Sequence, residues 1–377
     1  MKKSYLAASI ALFSSLSVAG PQLEIDREIG REDGRSTEQV IASIDSSSWS
    51  VDPADYGLTA MEYQRGEADM FFSMVQARAN GINQFFHFPA LSKAKDHFVV
   101  SPNNDTMYSL AVVDASEGFT ITIPDAGDRF ISLHIHDYNH TFVDYDWAPG
   151  TYTFDKNEID TDYVVIGVRI ATDGSDSDQA VVRETLQTHL NIQSNSSNKF
   201  VSTHDKEDIL KLREALLTEY TQLDNTYGAV KYDIRAVDDW EKWTVTVAGA
   251  WGLSPDDTAM YPAFTPANTK GNTCYEASFE AVPAKSFFSL TLYGPDNYLM
   301  SDDFNIVSSN RESFIQRADG GFDVVFGGKQ CKSIADERGA NFAYTPKDGW
   351  GGLLRSYQPD VDKMYNYTMP ELKKISE

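Results

Sequence analysis

The chain is poor in positive charge, with 32 Lys and Arg against 56 Asp and Glu and a formal net charge of −24. A field of this sign repels polyanions, so nucleic acid and anionic lipid surfaces are poor candidate partners. Hydrophobic residues still make up 41% and aromatic residues 12% of the sequence, which excludes wholesale disorder. At roughly 100–200 residues per domain, 377 residues predict two to three domains.

Long hydrophobic runs are also missing after the N-terminus. Residues 5–19 form one uncharged, largely apolar stretch, shorter than the roughly 20 residues needed to span a bilayer. Lysines at positions 2 and 3 and small residues before Gly20 complete the pattern of a secretory signal peptide. We therefore predict a signal peptide over residues 1–19, no stable membrane insertion, and a periplasmic or secreted protein.

Cysteine is scarce, with Cys274 and Cys331 as the only two in the chain. No histidine or further cysteine lies close to either in sequence, which argues against a metal site built on them. In an exported protein, two cysteines predict a single disulfide. Two unpaired thiols are the alternative that the sequence leaves open.

Several motifs of well-known enzyme classes are absent. The sequence holds no Gly-Lys-Ser/Thr phosphate loop, no Gly-x-Gly-x-x-Gly after a strand pattern and no Gly-x-Ser-x-Gly turn. Nucleotide-dependent enzymes and α/β-hydrolases are therefore excluded.

The periodicity of apolar residues changes along the chain. Spacings of three and four predict a helix over residues 60–79, and from residue 97 short β-type runs follow at about ten-residue intervals. Helical spacing returns in the middle and β-type runs in the last third. The predicted fold class is mainly β with inserted helices, as two β-sandwich or jelly-roll-like modules joined by a helical middle segment. The predicted layout is a loose polar N-terminal arm over 20–50, an N-terminal β module with its leading helix over 51–175, a helical middle segment over 176–262 and a C-terminal β module over 263–377.

Three of the seven histidines fall within one heptad, at His134, His136 and His140. On a β-strand, His134 and His136 share one face about 7 Å apart, while the aliphatic residues between them meet the core. His140 joins them only if the chain turns at Asn139. A His-x-His pair followed by a third ligand is similar to the metal site of cupin-type jelly rolls, and imidazole suits zinc, iron, nickel or copper. The alternative is a set of solvated or hydrogen-bonded histidines on a polar strand face.

A second polar constellation covers residues 101–109, SPNNDTMYS. Asn103, Asn104, Asp105 and Thr106 can bond their own backbone, which predicts an Asx-type turn. The same groups, with Tyr108 beside them, also offer a hydrogen-bonding edge for a ligand. The turn is the structural interpretation and the ligand edge the functional one.

Two polar residues share a strand face near the C-terminus, Arg355 and Tyr357. Together they could bind an anionic or carbonyl group. Alternatively, Arg355 pairs with one of the many carboxylates of this chain.

These motifs resemble a known bacterial family pair. Residues 101–109, VDASEG at 113–118 and residues 123–130 resemble the signature of domain of unknown function 1254. Four further motifs are similar to its usual partner, domain of unknown function 1214: FSLTLY at 288–293, DGG at 319–321, NFAYTP at 341–346 and LRSYQP at 354–359.

The resemblance implies a two-module, β-sandwich-like protein with inserted helices, usually exported, and it assigns no activity. Asp137 and the Asn-Asp-Thr turn at 104–106 match positions that the family pattern emphasises. The three histidines of the heptad stand where other residue types are expected, so a metal site there would be particular to this chain.

The functional hypothesis is a polar pocket in the N-terminal module for a small neutral or cationic molecule. If the protein is an enzyme, a histidine that titrates near neutrality serves as general base or metal ligand in a hydrolase or lyase. The predicted catalytic residues are His134, His136, Asp105 and Asp137; the predicted ligand-binding residues are Asn103, Asn104, Thr106, Tyr108, Arg129, Arg355 and Tyr357; the predicted ligands of a divalent transition metal are His134, His136 and His140. The competing hypothesis is a non-catalytic carbohydrate-binding or envelope-assembly protein.

Overall fold

A computed structural model describes residues 20–97 and 99–375. The predicted signal peptide lies outside the described residues. The α-helices are α1 (Pro21–Asp33), α2 (Thr37–Ile41), α3 (Ala60–Ala79), α4 (Asp176–Val181), α5 (Lys206–Tyr220), α6 (Trp240–Ala250), α7 (Lys332–Arg338) and α8 (Val361–Tyr365). The strands are β1 (Phe86–His87), β2 (Thr106–Asp114), β3 (Phe119–Ile123), β4 (Ile131–Asp137), β5 (Phe142–Asp146), β6 (Gly150–Phe154), β7 (Tyr163–Ala171), β8 (Asn191–Ser194), β9 (Ala259–Met260), β10 (Ala263–Phe264), β11 (Tyr275–Phe279), β12 (Phe288–Tyr293), β13 (Ile306–Ser308), β14 (Phe322–Gly327), β15 (Asn341–Tyr344), β16 (Gly351–Tyr357) and β17 (Lys373–Lys374).

Two antiparallel sheets pack face to face in the N-terminal half. Sheet A has the strand order β1-β2-β7-β4-β5, and sheet B has the order β6-β3-β8. One face of sheet A carries Ile135, Ile166 and Val168, which pack against Phe119 and Ile121 of sheet B. Strand alternation places these apolar residues on a single side and leaves the second face of sheet A for other partners.

Helix α3 covers part of that second face. Its N-terminus is closed by a capping box between Thr59 and Glu62, and it ends where Asn80 adopts a positive φ of 60°. Phe72 and Val75 of the helix are buried with the aliphatic residues of β2 and β7. The helix predicted over residues 60–79 is confirmed.

The N-terminal arm differs from its prediction. Residues 20–50 were expected to form a loose polar arm, but they contain helices α1 and α2. Leu23 is buried, and the carboxylate of Asp26 accepts a hydrogen bond of 2.8 Å from the backbone N–H of Tyr232. These few anchoring residues hold a segment whose average composition is polar.

The middle segment supplies helices and one strand. Helices α5 and α6 form a core with Ile209, Leu212, Leu216, Trp243 and Val247. Strand β8, which lies within the segment predicted to be helical, instead pairs antiparallel with β3. The middle segment therefore also completes sheet B of the N-terminal half.

The C-terminal half contains a second pair of packed sheets. Sheet C has the order β10-β16-β12-β13, with β9 also paired to β16, and sheet D has the order β15-β14-β11-β17. Leu290 and Leu354 of sheet C share a core with Phe279, Phe322 and Val324 of sheet D. The predicted fold class, mainly β with inserted helices, is confirmed.

One disulfide joins Cys274 to Cys331, with their Cα atoms 5.6 Å apart. It links the start of β11 to the turn before α7. The predicted pairing is therefore confirmed, and the alternative of two free thiols is wrong. Within residues 20–97 and 99–375, no helix combines the length and the apolar character that crossing a membrane requires.

Candidate functional site

The second face of sheet A carries a row of polar side chains beyond the part covered by α3. In the strand register, Arg169 of β7 lies between Tyr108 of β2 and Ser132 of β4. Arg169 is the one charged residue in a strand that is otherwise almost wholly apolar, and it is 7% exposed. Because register partners share a face, these three side chains point to the same side of the sheet.

His134 occupies the next position along that face. Its register partners are Gly167 on β7 and Tyr145 on β5. A Cβ atom at Gly167 would lie 2.2 Å from Cε1 of His134, so the imidazole rests on the backbone of β7. The ring is buried, and within residues 20–97 and 99–375 neither of its nitrogens has a hydrogen-bond partner.

Burial, with a smaller contribution from the charge of Arg169, holds the pKa of His134 well below its usual range. The imidazole is therefore neutral at pH 7, with one nitrogen able to accept a proton.

His136 and His140 extend the row of rings. The ring centroids are 5.8 Å apart for His134 and His136 and 5.6 Å apart for His136 and His140. The chain does turn after Asn139, where His140 has a positive φ of 60°. Burial lowers the pKa of His140 to about 3, and its Nε2 accepts a hydrogen bond of 2.8 Å from the N–H of Gly252.

The surroundings of these rings are aromatic. Phe142 lies 3.9 Å and Trp251 5.7 Å from the ring of His136, measured between centroids. Nε2 of His140 already accepts from the backbone. Among the residues that the structure describes, no group of three or more His, Cys, Asp or Glu side chains is placed to hold a metal ion. The metal site at His134, His136 and His140 therefore has no preformed geometry in support and stays a prediction.

The Asn-rich segment before β2 forms the predicted Asx-type turn. Oδ1 of Asn103 accepts hydrogen bonds from the backbone N–H groups of Asp105 (2.6 Å) and Thr106 (3.0 Å). Nδ2 of Asn104 donates to Oδ1 of Asn305 at 2.9 Å. The hydroxyl of Thr106 is buried without a partner. The turn therefore orders its own backbone and also reaches the C-terminal half.

Asp105 is the centre of this contact between the two halves. Its carboxylate accepts hydrogen bonds from the hydroxyls of Ser289 and Ser308, the latter at 2.8 Å. The hydroxyl of Tyr357 lies 3.5 Å from the same carboxylate and also accepts a hydrogen bond from Nδ2 of Asn103. Burial raises the pKa of Asp105, against the opposing effect of the hydroxyls and of the nearby guanidinium groups.

Two buried guanidinium groups lie in the same region, since both act on the phenol of Tyr261. Arg355 donates a hydrogen bond of 2.8 Å to the carbonyl of Ser101 and lies over the ring of Tyr293. Arg169 donates one of 3.1 Å to the hydroxyl of Tyr261 and lies over the ring of Tyr108. Within the described part of the chain, neither arginine forms an ion pair with a carboxylate, a pairing that was one of the two alternatives for Arg355.

We refer to the polar residues that line this interior region between the two halves as the central cluster. Its members are Asp105, Ser132, His134, Tyr145, Arg169, Tyr261, Arg355 and Tyr357. The charge of Arg169 acts on the phenols of Tyr108, Tyr145, Tyr261 and Tyr357 and on His134, which places them around one interior region. Burial raises the pKa of Tyr261, but Arg169, Ser254 and Arg355 together leave that pKa lowered.

Comparison with known proteins agrees with this arrangement of two halves. Residues 82–153 match the family described as "Protein of unknown function (DUF1254)", and residues 263–361 match the one described as "Protein of unknown function (DUF1214)". The chain carries a DUF1254 region followed by a DUF1214 region. The resemblance noted from the sequence motifs is therefore confirmed.

Two solved structures are similar to this chain. The VPA0106 protein from Vibrio parahaemolyticus is 18% identical over 84% of this chain and 98% of its own, with a TM-score of 0.64. An uncharacterized protein from Burkholderia cenocepacia is 14% identical over 94% and 97%, with a TM-score of 0.45. The first similarity shows a shared fold. The search of curated proteins found no match.

Two residues predicted for the pocket have other partners. Arg129 of the DUF1254 region binds the carboxylate of Asp178 through both terminal nitrogens and donates to the carbonyl of Ala171 at 2.7 Å. Asp137 accepts the backbone N–H groups of Asn139 and Thr141, each at 2.9 Å, and so closes the turn after β4. Burial raises the pKa of Asp137 to about 7.

Asp105 and Asp137, the two carboxylates predicted to be catalytic, form their hydrogen bonds with groups other than an imidazole. Asp137 lies on the opposite side of β4 from His134 because successive residues alternate, and the hydrogen bonds of Asp105 go to hydroxyl groups. The central cluster instead joins His134 to the positive charge of Arg169, an arrangement that the sequence analysis did not predict.

Several members of the cluster were not predicted from the sequence as site residues. Arg169 and Tyr261 lie between the DUF1254 and DUF1214 regions, where no quoted motif directs attention to them. A usable signal existed for Arg169, because one arginine within an apolar strand must be buried. Ser289 and Ser308, which are not in the cluster but bind its Asp105, carry no such signal, since serine in a strand is ordinary and only the folded chain brings both to Asp105.

Proposed function

We propose that this protein is an enzyme that acts on a small molecule enclosed between its two β halves, with His134 as the general base. The observation that carries the proposal is the state of His134. It is a buried, neutral imidazole with two unpartnered nitrogens, beside a buried guanidinium group. Buried polar atoms normally have partners, so a group without them is a candidate for contact with a ligand.

Proton transfer is the chemistry that this arrangement supports. A neutral imidazole has a lone pair for a proton from a substrate or from a water molecule, as a lyase or a hydrolase requires. A negative charge bound beside His134 would offset the burial that lowers its pKa. Fixed dipoles and charges in an enclosed site stabilise the transition state more strongly than they would in water. The imidazole of His134 stacks on the ring of Tyr145 and packs against the backbone of Gly167. These two contacts fix the direction in which its nitrogens point.

A carbohydrate-binding or envelope-assembly protein would be expected to expose aromatic side chains in a groove. Two surface depressions, of about 550 and 440 Å³, lie elsewhere on the described chain, and no aromatic residue lines either of them. These two depressions give no support to carbohydrate binding, and the proposal of an enzyme rests on His134.

The test is a screen of hydrolase and lyase substrates with His134→Gln and, as control, His189→Gln, an exposed histidine. We expect the His134 variant to lose at least about 100-fold in kcat, the usual contribution of a general base, while the control keeps the activity of the wild type. Full activity in the His134 variant would overturn the proposal. Incorporation of labelled solvent oxygen into the product distinguishes a hydrolase from a lyase.

The metal prediction is tested on the same preparations. Zinc, iron, nickel and copper are measured in the wild type and in the double variant His134→Ala/His136→Ala. Because the described residues hold no preformed three-ligand group, we expect no stoichiometric transition metal. A stoichiometric metal that the double variant loses would establish metal-assisted chemistry instead.

Export is part of the proposal. The basic and apolar N-terminal sequence supports it, as does the disulfide between Cys274 and Cys331, since disulfides persist in oxidising compartments. The test is N-terminal sequencing of the protein recovered from the periplasm or medium of expressing cells. We expect the mature chain to begin at Gly20, and retention of an intact Met1 in the cytoplasm would contradict export.

A further inference from the structure

We propose that the molecule bound in the central cluster is a small monocarboxylate, and that the guanidinium group of Arg169 binds its carboxylate. This inference rests on the proposed function for the place of the ligand, and it adds the charge and the chemical class. It differs from the neutral or cationic molecule expected from the sequence.

The first reason is that Arg169 is charged, buried and not paired with a carboxylate. An arginine stays protonated inside a protein, and an isolated buried charge is costly unless it is paired. Within the described residues its partners are the hydroxyl of Tyr261 and the ring of Tyr108, neither of which is a carboxylate. Nε of the same group is buried without a hydrogen-bond partner.

The second reason is the balance of charge in the cluster. Arg169 and Arg355 contribute two positive charges, while Asp105 contributes at most one negative charge and lies within electrostatic range of Arg355. Arg311, which is only partly buried, lies near Asp105 and Asp173 at the edge. His134 is neutral. Carboxylates therefore leave at least one positive charge, that of Arg169, without a counterion, and its partner Tyr261 offsets it only to the extent that the phenol ionises. This balance matches a ligand with a single negative charge.

The third reason is the set of polar atoms around Arg169. Among the described residues, both ring nitrogens of His134 are buried without a partner, and the buried hydroxyls of Ser132 and Tyr145 interact with each other. All three residues share the face of sheet A that carries Arg169. Hydrogen-bond donors grouped around a fixed guanidinium suit a planar carboxylate, which accepts two or more hydrogen bonds.

The position of the guanidinium group is fixed before any ligand arrives. The ring of Tyr108 lies 5.4 Å from its central carbon, and Tyr261 holds one terminal nitrogen. A cationic molecule would meet this charge at close range and be repelled. A neutral molecule would leave it uncompensated, so the carboxylate is the class that the site favours.

The experiment measures the melting temperature of the mature chain with acetate, acetamide or methylammonium at constant ionic strength. Ligand binding to the folded state raises Tm, and for a chain of this length a rise of about 1–2 °C marks binding. We expect a saturable rise of this size with acetate, and none with acetamide or methylammonium. Equal shifts with all three probes, or none with acetate, would overturn the inference.

Variants assign the effect to the residue. Arg169→Gln removes the positive charge, whereas Arg169→Lys keeps it but removes the planar guanidinium group that can bind a carboxylate through two nitrogens. The control is Arg31→Gln, at an exposed position of α1. The glutamine variant should fold, because it removes an unpaired buried charge, and it should lose the acetate shift. The lysine variant should bind acetate at least several-fold more weakly. An unchanged acetate response in both variants would contradict the role of Arg169.

The two proposals fail separately. If acetate binds through Arg169 while His134→Gln keeps full activity, the proposed catalytic role fails and the carboxylate site stands. If His134 is essential while only neutral or cationic compounds are turned over, the proposed function stands and the carboxylate inference fails.

Discussion

The imidazole of His134 lies against the backbone of Gly167, its register partner on the neighbouring strand, with no room between them for a methyl group. The residue at position 167 therefore decides where the proposed general base is placed. Gly167 has no unusual backbone conformation, so close approach of the imidazole is the reason that glycine is needed there.

Gly167→Ala should move the imidazole of His134 and destabilise the fold by about 1–3 kcal/mol, the usual cost of overpacking a buried site. Urea unfolding measures the stability. In the double variant with His134→Ala the space is free again, so adding the methyl group should then cost less than about 1 kcal/mol. Equal costs in both backgrounds would show that the two residues do not interact.

Asp105→Ala should destabilise the protein by roughly 3–5 kcal/mol, because it leaves Arg355 without its nearest negative charge and two serine hydroxyls without an acceptor. Asp105→Asn should cost less, since it keeps one acceptor oxygen. Chemical unfolding compares both with Asp128→Ala, an exposed carboxylate whose loss should change stability by less than about 0.5 kcal/mol. A small effect of Asp105→Ala would contradict a central role for this contact.

Asp137→Asn should make the protein more stable near neutral pH. The pKa of Asp137 is raised by burial to about 7, above the value of about 3.9 in unfolded chains, so the folded state binds more protons between those values. The free energy of unfolding of the wild type therefore falls as pH rises from about 3.9 to about 7. In the variant, position 137 makes no such contribution.

The expected difference grows by about 1.4 kcal/mol per pH unit within the window. Both backbone hydrogen bonds at this turn go to the same oxygen of Asp137, so asparagine can retain them. Urea unfolding in steps from about pH 4 to about pH 8 measures the two slopes, and parallel slopes would show that Asp137 does not titrate as described.

Replacing both cysteines by serine should reduce the free energy of unfolding by about 4 kcal/mol, the value expected for a loop of 57 residues. The acetate response should be unchanged in the folded double variant, because the disulfide lies on the far side of the C-terminal half from the central cluster. A lost acetate response in a folded variant would show that the disulfide positions the cluster.

Features that depend on neighbouring residues were predictable from the sequence. The capping box and Asn80 define α3, and alternation placed His134 and His136 on one face of β4. The Asx-type turn at Asn103 and the disulfide follow equally from local chemistry and composition. Apart from the disulfide, which follows from the presence of two cysteines in a chain predicted to be exported, each of these required only the immediate sequence context.

The remainder depends on contacts between distant parts of the chain. Asp105 and Ser308 are 203 positions apart, and no local pattern reports that they meet. The ionic partner of Arg129, Asp178, is 49 positions away, also beyond the reach of a local pattern. Leu23 and Asp26 help to attach helix α1 to the rest of the protein. The average composition of this polar segment does not reveal such individual contact residues.

Because the Asx-type turn of the DUF1254 region is inserted among hydroxyl groups and an arginine of the DUF1214 region, each region completes the interior of the other. A chimaera that takes the two regions from different relatives would inherit mismatched halves of one polar interior. Exchange between relatives should therefore give a stable protein only when both regions come from the same relative. A destabilising substitution on one side of this junction should be compensated by a substitution on the other side.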